Sequence, residues 1–490
     1  MAGVDFIELE TPFGRLRGVR SEGVTAFRRI PYAEAPVGSR RFEMPGAAPR
    51  WQGVRDAIVP GPIPPQNPSR LDAVMGIYDA EQSEDCLHLD IWTSHTEHDR
   101  APVLVFIHGG AFMTGGGSLP CYDGSLLAKE NGLVVVNITY RLGILGFFPH
   151  AGLGGLNLGL HDQIAALRWI AQAISAFGGD PQRVTVIGQS AGAFSIAMHF
   201  GTEHCPKLFK RAIMMSTPVG IKMRTVEQAR PIVNAILDVL DVSPNEVGKL
   251  RTMPLDRIFE GLRALQKRAS AKPGDIAPPF MPVLDTAFSG CDPIASIQIG
   301  SARWCDIMIG VTREEYAAFS VANPALKELS DDALETLIRS EIGDDASSMV
   351  LQLRSTRASA SPRALLGDFY SDRIFTKQSF EIASIQSRFG RKAFSYSFDW
   401  QSPNPELGAC HCIDLPFLFG NIDVWKVAPM ISGADQQEVQ DLSRLFRGSI
   451  AAFAATGDAN GNGLPNWPAY AADQALVHFD RHITVSRYVS

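Results

Sequence analysis

A serine between two glycines is the residue of this chain best suited to nucleophilic chemistry. Residues 188–192 read Gly-Gln-Ser-Ala-Gly, with Ser190 at the centre. An apolar run at 184–187 precedes this pentapeptide and a helix-like run at 193–198 follows it, which is the strand–turn–helix setting of a nucleophile. Such a turn holds the serine in a strained conformation with its hydroxyl exposed, and side chains at 188 and 192 would clash with neighbouring elements. The pattern therefore predicts that Ser190 forms an acyl-enzyme.

A glycine-rich segment after another apolar run could supply backbone donors to the same reaction. Residues 103–107 are apolar, and the next five residues read His-Gly-Gly-Ala-Phe. In acyl transfer, backbone N–H groups of such a loop and of the residue after the serine bind the developing oxyanion. We expect the donors to be the N–H groups of Gly109, Gly110 and Ala191. His108 is expected to be a hydrogen-bonded structural residue and not a catalyst.

A serine nucleophile needs a general base, and the chain contains 11 histidines. Where the serine lies on a strand–turn–helix elbow, the acid and the histidine follow it along the chain. This order excludes the histidines up to position 161, and those at 199 and 204 leave no room for an intervening strand and acid. The remaining candidates are His411, His478 and His482. The loop position of His411, after a predicted strand at 393–398, favours that residue.

The acid that orients the histidine should follow a strand between the serine and the histidine. The apolar run 307–309 leads into a segment that contains Glu314 and Glu315. Either carboxylate could orient the imidazole and stabilise its protonated form. The spacing alone does not separate the two.

Apolar runs predict the scaffold that must bring these positions together. Runs typical of buried strands lie at 103–107, 133–138, 184–187, 307–309, 393–398 and 475–479. Because these runs are apolar on both faces, they indicate a parallel sheet covered by helices on each side. Residues 163–177 have apolar side chains at helical spacing. Strands that alternate with helices predict an α/β fold with a mainly parallel sheet.

The domain organisation follows from the same alternation of strands and helices. A prior of ~150 residues per domain gives roughly three domains for this length, but large α/β folds often form one unit. We predict a single domain over residues 1–490. Segments 220–275 and 325–390 are helix-rich and lack strong strand patterns, so we expect them to be insertions that pack over one edge of the sheet and over the active site.

Composition and charge exclude several classes of function. The chain has 45 Lys and Arg against 52 Asp and Glu, a formal charge of −7, which argues against a nucleic-acid binder. There is no apolar stretch of ~18 residues to span a membrane, and the first residues lack the basic and apolar regions of a secretory signal. Seven cysteines, an odd number in a long chain, do not form a disulfide scaffold. We therefore expect a cytoplasmic protein with reduced thiols and without nucleic-acid or membrane partners; the sequence carries no information on its oligomeric state.

The triplet Cys410, His411 and Cys412 invites a metal-site hypothesis. No matching pair of ligands at zinc-type spacing lies elsewhere in the chain. We therefore expect no metal there, and an acyl-enzyme mechanism needs no organic cofactor.

Sequence motifs along nearly the whole chain resemble those of one family. The matching segments are 27–33, 36–38, 41–42, 83–87, 108–112, 140–141, 157–159, 162–163, 188–192, 408–411, 417–421 and 463–468. Together they resemble the type-B carboxylesterases, which include bacterial para-nitrobenzyl esterases and cholinesterases. The resemblance implies an α/β-hydrolase fold and a serine esterase that acts on small-molecule esters without a cofactor. It also implies Ser190 as nucleophile, His411 as base and Glu315, not Glu314, as acid.

Three positions depart from the family pattern. The family usually has Asp-Glu-Gly at the acid, whereas this chain has Tyr316 in place of the glycine. The family prefers glutamate before the serine, where this chain has Gln189. The family commonly pairs the cysteine at Cys86 with one about 25 residues earlier, and this chain has none there. Cys86 is therefore expected to be a free thiol.

The resemblance implies further roles outside the triad. Arg41 and Glu84 are expected to form a structural ion pair. Ser216 resembles a second serine that often forms hydrogen bonds near the triad.

Four residues are candidates for the substrate pocket: Phe112, Met113, Gln189 and Phe280. Phe280 resembles the stretch that shapes the acyl pocket in relatives, and no tryptophan lies between positions 71 and 82 to match the residue that grips choline in cholinesterases. We therefore expect apolar or aromatic esters with short to medium acyl chains. The alternatives are amide, carbamate or lipid hydrolysis by the same triad, or a catalytically silent binding module.

Overall fold

One continuous sheet with helices on both faces forms the framework of the protein. The computed structural model describes residues 5–268, 273–461, 463–471 and 473–488. The strands of the described residues are β1 (Asp5–Thr11), β2 (Gly14–Ser21), β3 (Val24–Pro31), β4 (Val54–Asp56), β5 (His88–Thr93), β6 (Ala101–Ile107), β7 (Val134–Ile138), β8 (Gly179–Gln189), β9 (Arg211–Met215), β10 (Asp306–Thr312), β11 (Ala393–Phe398), β12 (Ala475–Phe479) and β13 (Thr484–Arg487).

Helices connect these strands and flank the sheet. They are α1 (Asp72–Met75), α2 (Ser125–Asn131), α3 (Gly143–Phe147), α4 (Leu158–Ala173), α5 (Ala191–His199), α6 (Val226–Leu240), α7 (Leu255–Arg268), α8 (Pro293–Gln298), α9 (Ala317–Ser320), α10 (Pro324–Lys327), α11 (Asp331–Ile342), α12 (Ala346–Thr356), α13 (Pro362–Ser371), α14 (Lys377–Arg388), α15 (Leu415–Phe419), α16 (Ile422–Trp425) and α17 (Gln436–Thr456). A π-helical turn, Asp372–Thr376, joins α13 to α14.

The centre of the sheet is parallel and its edges are antiparallel. The strand order is β1-β2-β3-β5-β7-β6-β8-β9-β10-β11-β12-β13, and β4 pairs with β2. Each pair from β7 through β12 in this order is parallel. The pairs from β1 through β7 in this order and the final pair β12–β13 are antiparallel, and the short strand β4 is parallel to β2. The predicted α/β fold with a mainly parallel sheet is confirmed, although the apolar runs did not reveal the antiparallel N-terminal strands.

Apolar residues on both faces of the central strands build the core. In β6, Val103, Val105 and Ile107 belong to one buried cluster, and Leu104 and Phe106 belong to another on the opposite face. Side chains of α4, α5 and α14 join the first cluster, and those of α2, α15 and α17 join the second. This alternation explains why the strand sequence lacks the polar positions of a half-exposed strand.

The two segments predicted as insertions are both helical but lie in different places. The segment after β9 contains α6 and α7, and residues of both helices line the cavity that contains Ser190. The segment after β10 contains α11 to α14. Of these helices, α14 packs directly on β10 and β11 and is part of the helical layer that covers the sheet. Only Phe375 of this second segment reaches the cavity wall among the described residues.

Cysteines and one buried ion pair match what the motifs imply. All seven cysteines are described and free of disulfides, so the expectation of a free Cys86 is confirmed. Burial raises the pKa of the Cys86 thiol, which makes it inert. Arg41 and Glu84 form the expected ion pair through two contacts of 2.6 Å.

Within the described residues, no helix has both the length and the apolar character needed to cross a membrane.

Candidate active site

Ser190 lies on the sharp turn between β8 and α5. Its backbone has φ 56° and ψ −119°, which is a strained conformation for a residue with a side chain. The flanking glycines are required by close packing: a Cβ at Gly192 would lie 1.9 Å from the Ile107 carbonyl oxygen, and one at Gly188 would lie 2.5 Å from the Gly192 backbone. The turn therefore fixes Ser190 at the end of the strand.

His411 and Glu315 form a buried hydrogen-bonded pair. The His411 Nδ1 atom lies 2.5 Å from Glu315 Oε2, and both side chains are fully buried. The Thr312 backbone N–H donates to Glu315 Oε1 at 2.8 Å. Both carboxylate oxygens are thus engaged, so the imidazole is held in one orientation.

Glu314 has a different environment from Glu315. Its Oε2 accepts hydrogen bonds from the Ala409 backbone N–H at 2.8 Å and from Gln401. A parallel β-bridge also joins Glu314 to Cys410. Glu314 therefore connects the loop after β10 to the residues just before His411, and it makes no hydrogen bond to the imidazole among the described residues.

The second ring nitrogen of His411 faces the elbow. Its Nε2 lies 3.3 Å from the side-chain amide nitrogen of Gln189, the residue immediately before Ser190. Among the described residues, Gln189 and Glu315 are the hydrogen-bond partners of this imidazole, and the Ser190 hydroxyl is not one of them. The rings of Phe319 and Phe375 pack on the imidazole at 5.2 and 5.1 Å.

The loop after β6 brings a glycine against the serine. A Cβ at Gly109 would lie 2.6 Å from Gln189 Oε1 and 3.1 Å from Ser190 Cβ, and one at Gly110 would lie 2.0 Å from the Thr114 carbonyl oxygen. Within the described residues, the N–H groups of Gly109 and Gly110 make no hydrogen bond to the protein. Ala191 is the first residue of α5, and N–H groups of a first helical turn have no intrahelical acceptor. The loop at Gly109 therefore lies against Ser190, and its N–H groups at Gly109 and Gly110 are without a protein acceptor among the described residues.

A cavity of about 780 Å³ opens above Ser190 and is mostly apolar. Of the sequence-predicted pocket residues, Phe112 and Met113 line it, whereas Gln189 is absent from the wall and contacts His411 instead. The prediction for Phe280 is wrong, because its buried ring packs on Phe148 at 5.7 Å and is absent from the cavity wall. Its neighbour Met281 lines the cavity instead.

Three other sequence-identified residues lie nearby in supporting positions. His108 stacks on Tyr140 at 4.4 Å and contacts the Gly109 carbonyl oxygen through Nδ1 at 2.8 Å; burial lowers its pKa to about 4. The Tyr316 hydroxyl accepts the Gly274 backbone N–H at 2.7 Å, and its φ of −72° does not require glycine. Among the described residues, the buried Ser216 hydroxyl has no hydrogen-bond partner.

His478, the rival histidine, lies outside the site. Its Nδ1 contacts Asp399 and its Nε2 contacts Ser486, both at 2.7 Å. These residues lie around the edge strands β12 and β13. The remaining candidate, His482, follows β12, and it has no contact with the elbow among the described hydrogen bonds.

A family model agrees with this architecture over almost the full chain. The model described as the carboxylesterase family matches residues 5–489. The chain belongs to the carboxylesterase family. It is similar to the phenmedipham hydrolase of Pseudarthrobacter oxydans, at 36% identity over 95% of this chain and 93% of the relative. It is also similar to the para-nitrobenzyl esterase of Bacillus subtilis strain 168, at 35% identity over 97% and 95% of the two chains.

Solved carboxylesterase structures have the same fold. The carboxylesterase EST55 of Geobacillus stearothermophilus superposes with a TM-score of 0.87 at 33% identity, covering 98% of this chain and 97% of that chain. The α/β-hydrolase fold implied by the motifs is therefore confirmed. This carboxylesterase is a serine hydrolase that acts on ester bonds of small molecules.

Two features of the carboxylesterase site were not found in the sequence. The aromatic rings of Phe319 and Phe375 on the imidazole follow no spacing rule, since one lies in a short helix and the other in the π-helical turn. Asp414, three residues after His411, is fully buried, and burial together with Glu315 raises its pKa to about 8.

Among the described residues, no group of three or more His, Cys, Asp or Glu side chains is arranged to hold a metal ion.

Proposed function

We propose that Ser190 attacks the ester carbonyl, that His411 takes its proton and that Glu315 orients the imidazole. The 2.5 Å contact between His411 Nδ1 and Glu315 carries this proposal. It favours the tautomer with hydrogen on Nδ1, which leaves a lone pair on Nε2 for the serine proton. The N–H groups of Gly109, Gly110 and Ala191 would bind the oxyanion.

The proposed cycle has two halves. In the first, the Ser190 oxygen bonds to the carbonyl carbon, and the alcohol leaves with the proton held on His411. In the second, His411 takes a proton from water, whose oxygen attacks the acyl carbon; the bond to Ser190 then breaks, the carboxylic acid is released and His411 returns the proton to the Ser190 oxygen. Because Gln189 faces Nε2 at 3.3 Å, the Ser190 hydroxyl must share or replace that contact when substrate binds, as catalytic hydrogen bonds often tighten only in the complex.

The cavity wall supports esters with apolar or aromatic groups and short to medium acyl chains. Phe112, Met113, Phe194 and Phe319 all lie in this wall. Aromatic and aliphatic side chains favour apolar ligands because burial removes apolar surface from water. The proposed chemistry uses only groups of the protein and needs no cofactor.

We also propose a single cytoplasmic domain without nucleic-acid partners. The continuous sheet from β1 to β13 supports one domain. Seven unpaired cysteines support a reducing compartment, and the charge of −7 supports small molecules over nucleic acids as partners.

The catalytic assignment is tested with paired variants. Ser190→Ala and His411→Ala should each lower kcat for a nitrophenyl ester by at least about a thousandfold, whereas His478→Ala, which changes the rival histidine, should retain activity. Mass spectrometry after organophosphate treatment should place the label on Ser190, which also separates an enzyme from a silent binding module. Full turnover by Ser190→Ala would contradict the proposal.

A further inference from the structure

A guanidinium without a carboxylate partner stands in the wall of the active-site cavity. Arg70, in the loop before α1, lines the same cavity as Ser190 and is accessible from it. Its terminal nitrogen donates to the Ile276 carbonyl oxygen, and no carboxylate of the described residues pairs with it. The bond to Ile276 is the one hydrogen bond of the guanidinium among the described residues, so most of its five N–H donors have no protein acceptor there.

The ring of Phe319 lies between Arg70 and His411. The Arg70 guanidinium carbon is 5.5 Å from the centre of the Phe319 ring, and that ring packs on His411 at 5.2 Å. The preceding residue, Ser69, contacts Thr114 of the loop that carries Gly109 and Gly110. Because the alcohol would leave with the proton on His411, Arg70 adjoins the space for the leaving group.

Two other charged groups, Arg224 and Asp275, lie in the cavity wall. Arg224 is directed at the carbonyl oxygens of Pro278 and Pro279. Asp275 accepts the Ala277 backbone N–H at 3.2 Å and influences Arg70 without contacting it. Desolvation by the cavity wall lowers the pKa of Arg70, and Asp275 and Tyr316 raise it, while the residue as a whole stays exposed; a bound anion would favour its charged form.

We propose that Arg70 binds a carboxylate carried by the leaving-group half of the ester. The proposal rests on the proposed function, since it takes Ser190 as the position of the carbonyl carbon. A carboxylate can accept two parallel hydrogen bonds from a guanidinium, and the aromatic wall packs against the apolar body of the same molecule. The preferred substrates are then apolar or aromatic esters whose alcohol or phenol bears an anionic group.

The test compares two acetyl esters of matched shape and different charge. The anionic probe is the acetyl ester of 4-hydroxybenzoate, and the neutral probe is that of 4-hydroxybenzamide. Arg70→Met should lower kcat/KM for the anionic ester by at least about tenfold, mainly through KM, because a hydrogen bond to a charged group is lost. The neutral ester should change by less than about twofold, and Arg70→Lys should restore part of the preference because it keeps the charge without the planar fork.

Asp275→Asn provides a change in the opposite direction. Removing this nearby negative charge should lower KM for the anionic ester by about two- to threefold and leave the neutral ester unchanged. It also keeps the test informative if Arg70→Met fails to fold. Equal losses on both esters in Arg70→Met, or no change in the anionic preference in any of the three variants, would overturn the role of Arg70 while leaving the proposed function intact. Failure of the parent enzyme to hydrolyse either ester, with Ser190 unlabelled, would overturn the proposed function and this proposal with it.

Discussion

His411 presents its two ring nitrogens to chemically different neighbours. Nδ1 faces the Glu315 carboxylate at 2.5 Å, and Nε2 faces the amide nitrogen of Gln189 at 3.3 Å. Because an amide NH₂ only donates hydrogen bonds, the second contact suits an unprotonated Nε2, the form that a general base needs. A carboxylate at position 189, as the family prefers, would instead stabilise the protonated imidazole.

Gln189→Glu should therefore move the acid limb of the kcat/KM profile to higher pH by about 1 unit. On this limb, activity falls as the imidazole becomes protonated, and a nearby negative charge makes protonation occur at higher pH. The measurement is kcat/KM for a neutral ester from pH 4 to 9. Gln172→Glu, on the exposed face of α4, introduces the same charge far from the imidazole and should leave the limb in place. Superimposable profiles for Gln189→Glu and the parent would contradict the argument.

Residues tied to chain order could be predicted from the sequence, whereas residues that meet only in three dimensions could not. Ser190 and His411 follow from a motif and from the order of the triad. The spacing does not separate Glu314 from Glu315; the family resemblance favours Glu315, and the contacts place Glu315 beside the imidazole and Glu314 on the Ala409 backbone. Phe280 was wrongly predicted because its ring packs on Phe148, whereas its neighbours Pro279 and Met281 line the cavity.

The turn between β8 and α5 can form only because Gly192 has no side chain. The turn brings the first residues of α5 against the end of β6, where a Cβ at Gly192 would lie 1.9 Å from the Ile107 carbonyl oxygen. Backbone atoms on both sides leave no flexible group to move aside. The same helix start presents Ala191, so distortion here would displace both the serine and a proposed oxyanion donor.

Gly192→Ala should abolish most activity and lower stability, since the clash forces β6 and α5 apart. Gly448→Ala is the matched control, because Gly448 lies inside α17 and a Cβ there would meet nothing within 4 Å. That control should raise the free energy of unfolding by roughly 0.5–1 kcal/mol through helix propensity and preserve turnover. Urea unfolding and esterase assays on both variants check this, and an active, stable Gly192→Ala enzyme would refute the packing argument.

The bounds of strands could be predicted where burial on both faces gave a continuous apolar run. The strands β11 and β12 have the bounds that their apolar runs predict, because central strands are buried on both faces. The edge strands β1 and β13 alternate or are exposed, so no apolar run marks them. The segment that contains α14 was predicted to be an insertion. Because the buried face of α14 packs against β10 and β11, this helix is instead part of the helical layer that covers the sheet.

At the scale of the molecule, sheet order brings the candidate catalytic residues together. Ser190 follows β8, Glu315 follows β10 and His411 follows β11, and these strands lie side by side with β9 between the first two. Because all four are parallel, their carboxyl ends open at the same edge, which is where α/β sheets bind ligands. Positions more than two hundred residues apart therefore meet at one site.

A buried carboxyl group at the same site should make the stability of the molecule depend on pH. Burial, with a further contribution from Glu315, raises the pKa of Asp414 to about 8, whereas an unfolded aspartate titrates near ~3.9. Between these two values the folded chain holds a proton that the unfolded chain has lost. The stabilising contribution of Asp414 is therefore complete below about pH 4 and is lost as the pH rises through about 8.

Asp414→Asn replaces the carboxyl group with an amide that does not titrate. The free energy of unfolding of the variant minus that of the parent should therefore increase as the pH rises from 5 to 8, because the parent loses stability over this range and the variant does not. Urea unfolding at pH 5, 6, 7 and 8 measures the difference. Asp344→Asn, at a fully exposed side chain, should give a nearly constant difference over the same range. A difference for Asp414→Asn that stays flat or falls with pH would mean that the buried carboxyl is already ionised near neutral pH, and its negative charge would then have to be counted beside Glu315 in the electrostatics of the imidazole.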